Sequence, residues 1–330
     1  MGIKCLLKFI TEQNIIKSIN NKNYKNKKVA IDISILIYKI VISIRSSGAD
    51  YTNQQGCITS HILGLFNKTI DLLHSGIIPI YVFDGKPPSL KNKIIDDRRK
   101  SRLKALEKMK IAETNEDKVK YFKKSFSIKK LQWKQCIDLL DMMGIPYILA
   151  KEEADSQCAY LAREGFVDAV LTDDMDILTF GSPKIVQNLT SHKIQTKEII
   201  LDDILTKLEL THDQFIDYCI LLGCDYCVGL TDVKYNIIYQ YFKQYKNIED
   251  TLVAMKNDKL KIPTEINYYK TKEYFKNPKI ITVLPEDLKL KEPKYDELMD
   301  KLVNEYGLIK KIIKNKLDRL NEYYKHMKDL

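Results

Sequence analysis

Seven acidic residues stand at positions from which they could hold a cation against an anionic substrate. Asp32, Asp84, Asp174 and Asp176 fall at the carboxyl ends of apolar β-branched runs (KKVAIDIS, GIIPIYVFDG, DAVLTDDMD). Glu153 and Asp155 follow a further run, GIPYILA, at the opening of a helix, and Asp225 follows the apolar stretch FIDYCILLG just past Gly223. Any one of them alone reads as a turn or helix-cap residue. Together at one sheet edge their mutual repulsion is tolerable only with cations, and oxygen ligands without His or Cys call for Mg²⁺ or Mn²⁺. Two divalent ions against seven carboxylates leave a formal charge of about −3 for basic side chains to balance. Paired metals ~3.5–4 Å apart activate a water and stabilise the leaving oxygen of a phosphodiester.

The elements that must position these acids are legible in outline. Apolar runs of strand length alternate with stretches of helical periodicity, which implies an α/β fold with a mostly parallel twisted sheet flanked by helices. Ligands of such sheets lie beyond the carboxyl ends of the strands, where the acids fall. The 330 residues correspond to about two domains.

The formal net charge is +10. Between Lys91 and Lys134 there are sixteen Lys or Arg against six Asp or Glu, so this stretch carries an excess equal to that of the whole chain. Leu103, Leu106, Met109 and Ile111, then Val119, Phe122, Phe126 and Trp133, predict two amphipathic helices around the polar turn ETNED. A basic helical pair inserted between α/β elements suits a polyanion, with Lys123, Lys124, Lys129 and Lys130 as contacts. A second basic stretch, Lys310 to Lys328, carries Ile309, Ile313, Leu317 and Leu320 on one face and reads as a packed helix. No apolar run is long enough to span a membrane, and Lys4 and Lys8 interrupt the amino-terminal apolar segment, so neither membrane insertion nor secretion is expected. Leu6 stands where a myristoylation signal needs Ser or Thr. The seven cysteines lack disulfide-framework spacing, which fits a reducing compartment. Cys219, Cys224 and Cys227 have a C-x₄-C-x₂-C spacing also used by iron–sulfur ligands, but no fourth ligand is near in sequence.

The strings MGIKCL, VAIDISILIYK, ITSHILGLF, PIYVFDGKPPSLK, GIPYILAKEEADSQCAYL, TDDMDILTFGSP and FIDYCILLGCDYC resemble those of the flap endonucleases, XPG-type structure-specific 5′-nucleases. The resemblance is dense over residues 1 to about 227 and weaker beyond. It implies a PIN-like 5′-nuclease core over 1–230, with the basic 91–134 stretch as gateway and clamp, and a mainly helical duplex-binding region over 231–330. It implies that Asp32, Asp84, Glu153, Asp155, Asp174, Asp176 and Asp225 bind two Mg²⁺ ions, for which Mn²⁺ can substitute. Lys91 and Arg98 resemble the basic pair that holds the scissile phosphate, on one helical face two turns apart. Tyr38 resembles the aromatic that stacks on the displaced nucleotide, and Arg45 and Lys68 match phosphate-contacting positions. Of only six Arg in the chain, four are Arg45, Arg98, Arg99 and Arg102, and Arg grips phosphate bidentately. His61 has no part in this chemistry and is expected to pack or hydrogen-bond locally.

Three departures qualify the resemblance. Asp155 stands where the family usually shows Glu. Asp232-Val233-Lys234-Tyr235-Asn236-Ile237 replaces the glycine-rich G-I-G-P-K-R turn, which puts the family's K⁺ site in doubt and leaves only Lys234 to offset Asp232. Leu317 replaces the Gln of a sliding-clamp peptide before Tyr323-Tyr324, so a clamp partner is possible without a clear clamp-binding peptide. The expected activity is Mg²⁺-dependent cutting of branched or flap DNA near single/double-strand junctions, in replication and repair. The alternatives are a 5′→3′ double-strand exonuclease of the same family and a catalytically inactive nucleic-acid-binding relative. A glycosyltransferase built on Asp174-Met175-Asp176 would leave the other five carboxylates idle. A monomer is expected, intracellular and either nuclear or viral-cytoplasmic.

Overall fold

The structure, a computed structural model, describes residues 2–189, 194–263 and 267–328. Its first elements are α1 (Leu6–Glu12), β1 (Lys17–Ile19), β2 (Lys28–Asp32), α2 (Ile33–Arg45), α3 (Ser60–His74) and β3 (Ile78–Phe83). Next come α4 (Asn92–Ile111), α5 (Asn115–Lys124), α6 (Lys130–Met143), β4 (Tyr147–Leu149), α7 (Ala154–Arg163), β5 (Ala169–Leu171) and α8 (Asp176–Thr179). The remainder is β6 (Lys184–Gln187), β7 (Thr196–Ile200), α9 (Leu201–Leu208), α10 (His212–Leu222), α11 (Tyr235–Tyr245), α12 (Ile248–Asn257), α13 (Tyr268–Lys276), α14 (Tyr295–Asp300) and α15 (Lys310–Lys328). Among the described residues no helix is long and apolar enough to cross a membrane.

The chain forms two compact units, each assembled from three stretches, so the boundary anticipated at 230/231 falls inside one of them. The first unit takes Met1–Asn23, Asp84–Ile94 and Ala150–Ile281. In it β5 and β6 run parallel, while β7 is antiparallel to both β6 and β1. α10 is its central helix: Phe215 to Leu222 are all buried, and Thr211 caps its amino end by accepting from Gln214 N–H. Phe9 of α1 packs edge-on against Tyr218, and Phe180 against Phe275 of α13.

The second unit takes Tyr24–Phe83, Ile95–Leu149 and Thr282–Leu330. Its strands β2, β3 and β4 are all parallel, with Lys28 opposite Ile78 and Tyr81 opposite Tyr147. The crossovers are helical, as parallel pairing requires. The four apolar runs read from the sequence are β2, β3, β4 and β5. β1, β6 and β7 were not anticipated: they are three to five residues long and interspersed with lysines, so they lack the apolar run or strict alternation that marks a strand.

Two expectations for the basic stretch need correction. The second amphipathic helix is broken at Ser125, giving α5 and α6, so Phe126 and Trp133 do not share one helix with Val119. On α4 only Ala105 is buried, while Leu103, Leu106 and Ile111 are exposed, so the apolar positions do not form a packed face. At the carboxyl end, Ile313, Leu317, Leu320 and Tyr324 are buried and Ile309 is exposed. Tyr324 Oη donates to Met143 O at 2.9 Å. α15 is therefore a helix packed along one face, and the segment that resembles a clamp peptide presents its Leu317, Leu320 and Tyr324 inward.

Candidate active site

Six of the seven candidate ligands lie in the first unit, around Lys91. The loop after β3 and the loop before α7 are zipped together. Gly85 N–H donates to Glu152 O (2.6 Å) and Ala154 N–H donates to Asp84 Oδ1 (2.9 Å). A Cβ at Gly85 would meet Ala150 O at 2.1 Å, so only glycine allows this approach. The result sets Asp84 beside the amino end of α7, whose cap residue is Glu153 and whose first turn holds Asp155. Lys91 Nζ donates to Glu153 Oε1 at 2.5 Å and lies 3.5 Å from Asp225 Oδ2. Tyr226 Oη donates to the other oxygen, Glu153 Oε2.

Asp174 lies in the turn between β5 and α8, and Asp176 opens α8. Asp174 N–H donates to Thr172 Oγ1 (3.0 Å), and Asp176 N–H donates to Asp174 Oδ1 (3.1 Å). The amino-terminal segment runs against this pair. Gly2 has φ of 75°, and a Cβ there would meet Asp174 Oδ1 at 1.9 Å and Asp176 Oδ1 at 2.6 Å. The loop after α10 is tied by Lys4 N–H to Gly223 O (2.9 Å) and Cys224 N–H to Cys227 O (2.8 Å), which fixes Asp225.

The electrostatics follow from burial. Asp176 is 1 % exposed; burial, then Asp174 and Asp225, push its carboxyl well above the usual carboxylate range. Burial also raises Asp174, against the pull of Asp176 N–H and Lys91. Glu153 is raised by burial, which outweighs Lys91 and Tyr226. Burial alone would depress Lys91, but Glu153, Asp155 and Asp225 more than reverse that and keep it an ammonium. Among the described residues no three His, Cys, Asp or Glu side chains converge as a ready-made metal cage. The donor set nonetheless suits hard divalent ions, and Asp176 Oδ1 is buried with no hydrogen-bond partner, a lone pair that a cation would satisfy.

Asp32 belongs to the second unit, where it caps α2 by accepting from Ser34 N–H (2.7 Å) and Ile35 N–H (3.2 Å). Lys91 sits in the 3₁₀ turn before α4, so it does not share a regular helical face with Arg98, which is exposed on α4. Tyr38 is 46 % exposed with its ring 6.0 Å from that of Phe126. Lys68 is half-buried, and burial lowers its ammonium. Lys124, Lys129 and Lys130 are exposed, and Lys123 reaches Ser46 Oγ at 3.5 Å.

Arg45 departs from the expected phosphate contact. It is 8 % exposed, pairs bidentately with Asp50 (3.1 and 2.8 Å), donates to Phe122 O (2.9 Å) and lies over the Phe122 ring at 4.1 Å. Its guanidinium ties α2 to α5 because every face of it already has a partner. His61 Nε2 hydrogen-bonds Gln135 Oε1 at 2.9 Å, the local role expected of it. Cys219, Cys224 and Cys227 are buried free thiols, and burial raises all three, which makes them packing residues. Asp232 pairs with Lys261 at 3.3 Å, a partner remote in sequence, where Lys234 had been expected to offset it.

Sequence reasoning weighed Gly2 only against a myristoylation signal and did not single out Glu152 or Tyr226. Glu152 pairs with Lys279 at 3.0 Å. No spacing rule finds these residues, since each acts through a partner far away in the chain.

A zipped pair of loops, an acid cluster at strand and helix ends and a lysine buried among carboxylates together define a nuclease of the α/β class with strand-end acids. The chain matches the XPG N-terminal domain over residues 1–105 and the XPG I-region over 144–225. It is 37 % identical over 330 residues to flap endonuclease 1 of Nematostella vectensis, covering 98 % of this chain and 88 % of that one. It is 40 % identical over 328 residues to flap endonuclease 1 of Branchiostoma floridae, covering 97 % and 86 %. The solved flap endonuclease-1 from Methanococcus jannaschii superposes with a TM-score of 0.74 at 31 % identity, covering 94 % and 97 %. The catalytic core of Rad2 in complex with DNA substrate shares the fold, with a TM-score of 0.75 at 23 % identity over 97 % and 100 %. The chain belongs to the flap endonuclease family of XPG-type nucleases.

Proposed function

We propose that the chain cuts branched DNA at the junction of single and double strand, removing 5′ flaps with the help of two divalent ions, Mg²⁺ in the first instance. Family membership makes it a structure-specific 5′ nuclease of replication and repair. Asp84, Glu153, Asp155, Asp174, Asp176 and Asp225, with Asp32, would hold the ions, which when bound supply an activated water and stabilise the leaving oxygen. Lys91 and Arg98 bear on the scissile phosphate, where their positive charge counters the charge developing on its oxygens. Tyr38 offers a half-exposed ring to the displaced base. Lys68, Lys123, Lys124, Lys129 and Lys130 meet the phosphate backbone. The chain acts as a monomer, and any sliding-clamp contact uses a surface other than the buried face of α15.

The observation that carries this reading is Lys91 held by Glu153 and Asp225 within an acid cluster, in a chain 37 % identical to a flap endonuclease over 98 % of its length. Labelled flap, nicked and blunt duplexes, each incubated with Mg²⁺ or with EDTA, test it. Junction cutting of the flap only with Mg²⁺ is expected. Degradation of blunt duplex in preference to the flap would favour the exonuclease, and inertness on all three the inactive relative.

A further inference from the structure

We propose that Tyr226 is the positioning residue for Glu153, and that α13 buttresses it. The proposal rests on Glu153 being a metal ligand.

Tyr226 is 5 % exposed and fixed at both ends. Its hydroxyl donates to Glu153 Oε2, and its carbonyl accepts from Thr271 Oγ1 of α13 at 3.3 Å. Between these ends the ring packs against Tyr274 (centroids 5.0 Å apart) and Phe275 (5.3 Å, edge-on) of α13. α13 is in turn pinned to α10 by two ion pairs one turn apart, Asp213–Lys276 and Asp217–Lys272, each 2.7 Å.

The backbone leaves Tyr226 little freedom. Leu230 N–H donates to Leu221 O at 2.7 Å, and a Cβ at Gly229 would meet Gly223 N at 2.4 Å, so the loop carrying Asp225 and Tyr226 closes on itself. One loop thus delivers a candidate ligand at 225 and, at the next residue, a hydroxyl that orients a second candidate ligand at the amino cap of α7.

The choice of tyrosine has a physical reason. Glu153 has Lys91 on Oε1 and Tyr226 on Oε2, so its carboxylate is held from two sides. A neutral donor fixes the rotamer without bringing a second positive charge into competition with a metal ion. Without that donor Oε2 loses its hydrogen bond in a buried setting and the carboxylate must turn to find another. Outer partners of ligating carboxylates typically contribute 10–100-fold in metal affinity.

The test is Mn²⁺ binding to DNA-free protein by calorimetry, for wild type, Tyr226→Phe, Glu153→Gln and the double variant. Each is also melted in EDTA. Phenylalanine keeps the packed ring, so Tyr226→Phe should still fold and melt cooperatively in EDTA, a few degrees lower for the lost hydrogen bond, while its Mn²⁺ affinity falls about tenfold. Glu153→Gln should lose at least as much, and the double variant should bind like Glu153→Gln alone, because the hydroxyl then has nothing to orient. If Glu153→Gln weakens Mn²⁺ and Tyr226→Phe does not, or if the two losses add, the positioning role is wrong. If Glu153→Gln leaves Mn²⁺ binding untouched, the ligand reading of Glu153 fails and takes this proposal with it.

Discussion

Asp176 shows most directly what the acid cluster demands of the fold. Its carboxyl is buried beside Asp174 and Asp225 and is raised well above the ordinary range. A group with a raised folded-state pKa binds more protons folded than unfolded, so its stabilising share is present at low pH and lost as pH rises through the folded value. In EDTA, Asp176→Asn should therefore melt higher than wild type near neutral pH, by about 2 °C for each kcal/mol relieved, with the gain vanishing below about pH 4. Cutting should be abolished, since a proposed metal ligand is gone. Calorimetric melting across pH checks this, and a lower melting temperature for the variant at neutral pH would refute the burial argument. Lys91 is the opposite case. Lys91→Ala removes the ammonium beside Glu153 and Asp225 and should destabilise the metal-free protein by roughly 3–5 kcal/mol. Mg²⁺ should restore much of that melting temperature, while the single-turnover rate stays low and flap binding changes little. A variant that melts like wild type in EDTA would remove Lys91 from this charge balance. The acids were legible in the sequence because each follows an apolar run; Tyr226 was not, because a buried aromatic with a distant partner looks like any core residue.

At the scale of elements, the basic insertion was legible as helices and misread in its faces. Apolar spacing on α4 matched a packed helix, yet Leu103, Leu106 and Ile111 are exposed, because periodicity reports a face and not whether anything covers it. Arg45 was misassigned for a related reason. In sequence it is an arginine at a helix end in a chain poor in arginine; its partners Asp50, Phe122 and Phe126 come from other elements. Arg45→Ala should cost about 3–5 kcal/mol, since it leaves Asp50 buried without its cation. Amide exchange should quicken over residues 115–126, because α5 loses its tie through Phe122 O to α2. The salt dependence of DNA binding should stay the same. A flattened salt slope with unchanged exchange would return Arg45 to the phosphate-contacting role.

At the scale of the whole molecule, charge is partitioned unevenly: the stretch from Lys91 to Lys134 has an excess equal to the net charge of the entire chain. Among the described residues some cations outside the site form ion pairs at the surface, as Lys243 does with Glu209 and Lys294 with Glu297, and such pairs contribute little to stability. Lys124, Lys129 and Lys130 are exposed, and Lys123 reaches the neutral hydroxyl of Ser46. Cations left facing solvent on one helical pair raise the local potential and attract a polyanion. Replacing Lys123, Lys124, Lys129 and Lys130 together by Gln should therefore weaken flap binding and reduce the log–log slope of affinity against salt. Each lost contact removes ~0.9 on duplex or ~0.7 on single strand, so the four together should remove about 3. The fold should be undisturbed, because none of the four side chains is buried. Binding isotherms at several salt concentrations read the slope directly. A smaller drop counts how many of the four touch phosphate; an unchanged slope would make this face a solvated one and move the DNA path to other cations of the chain.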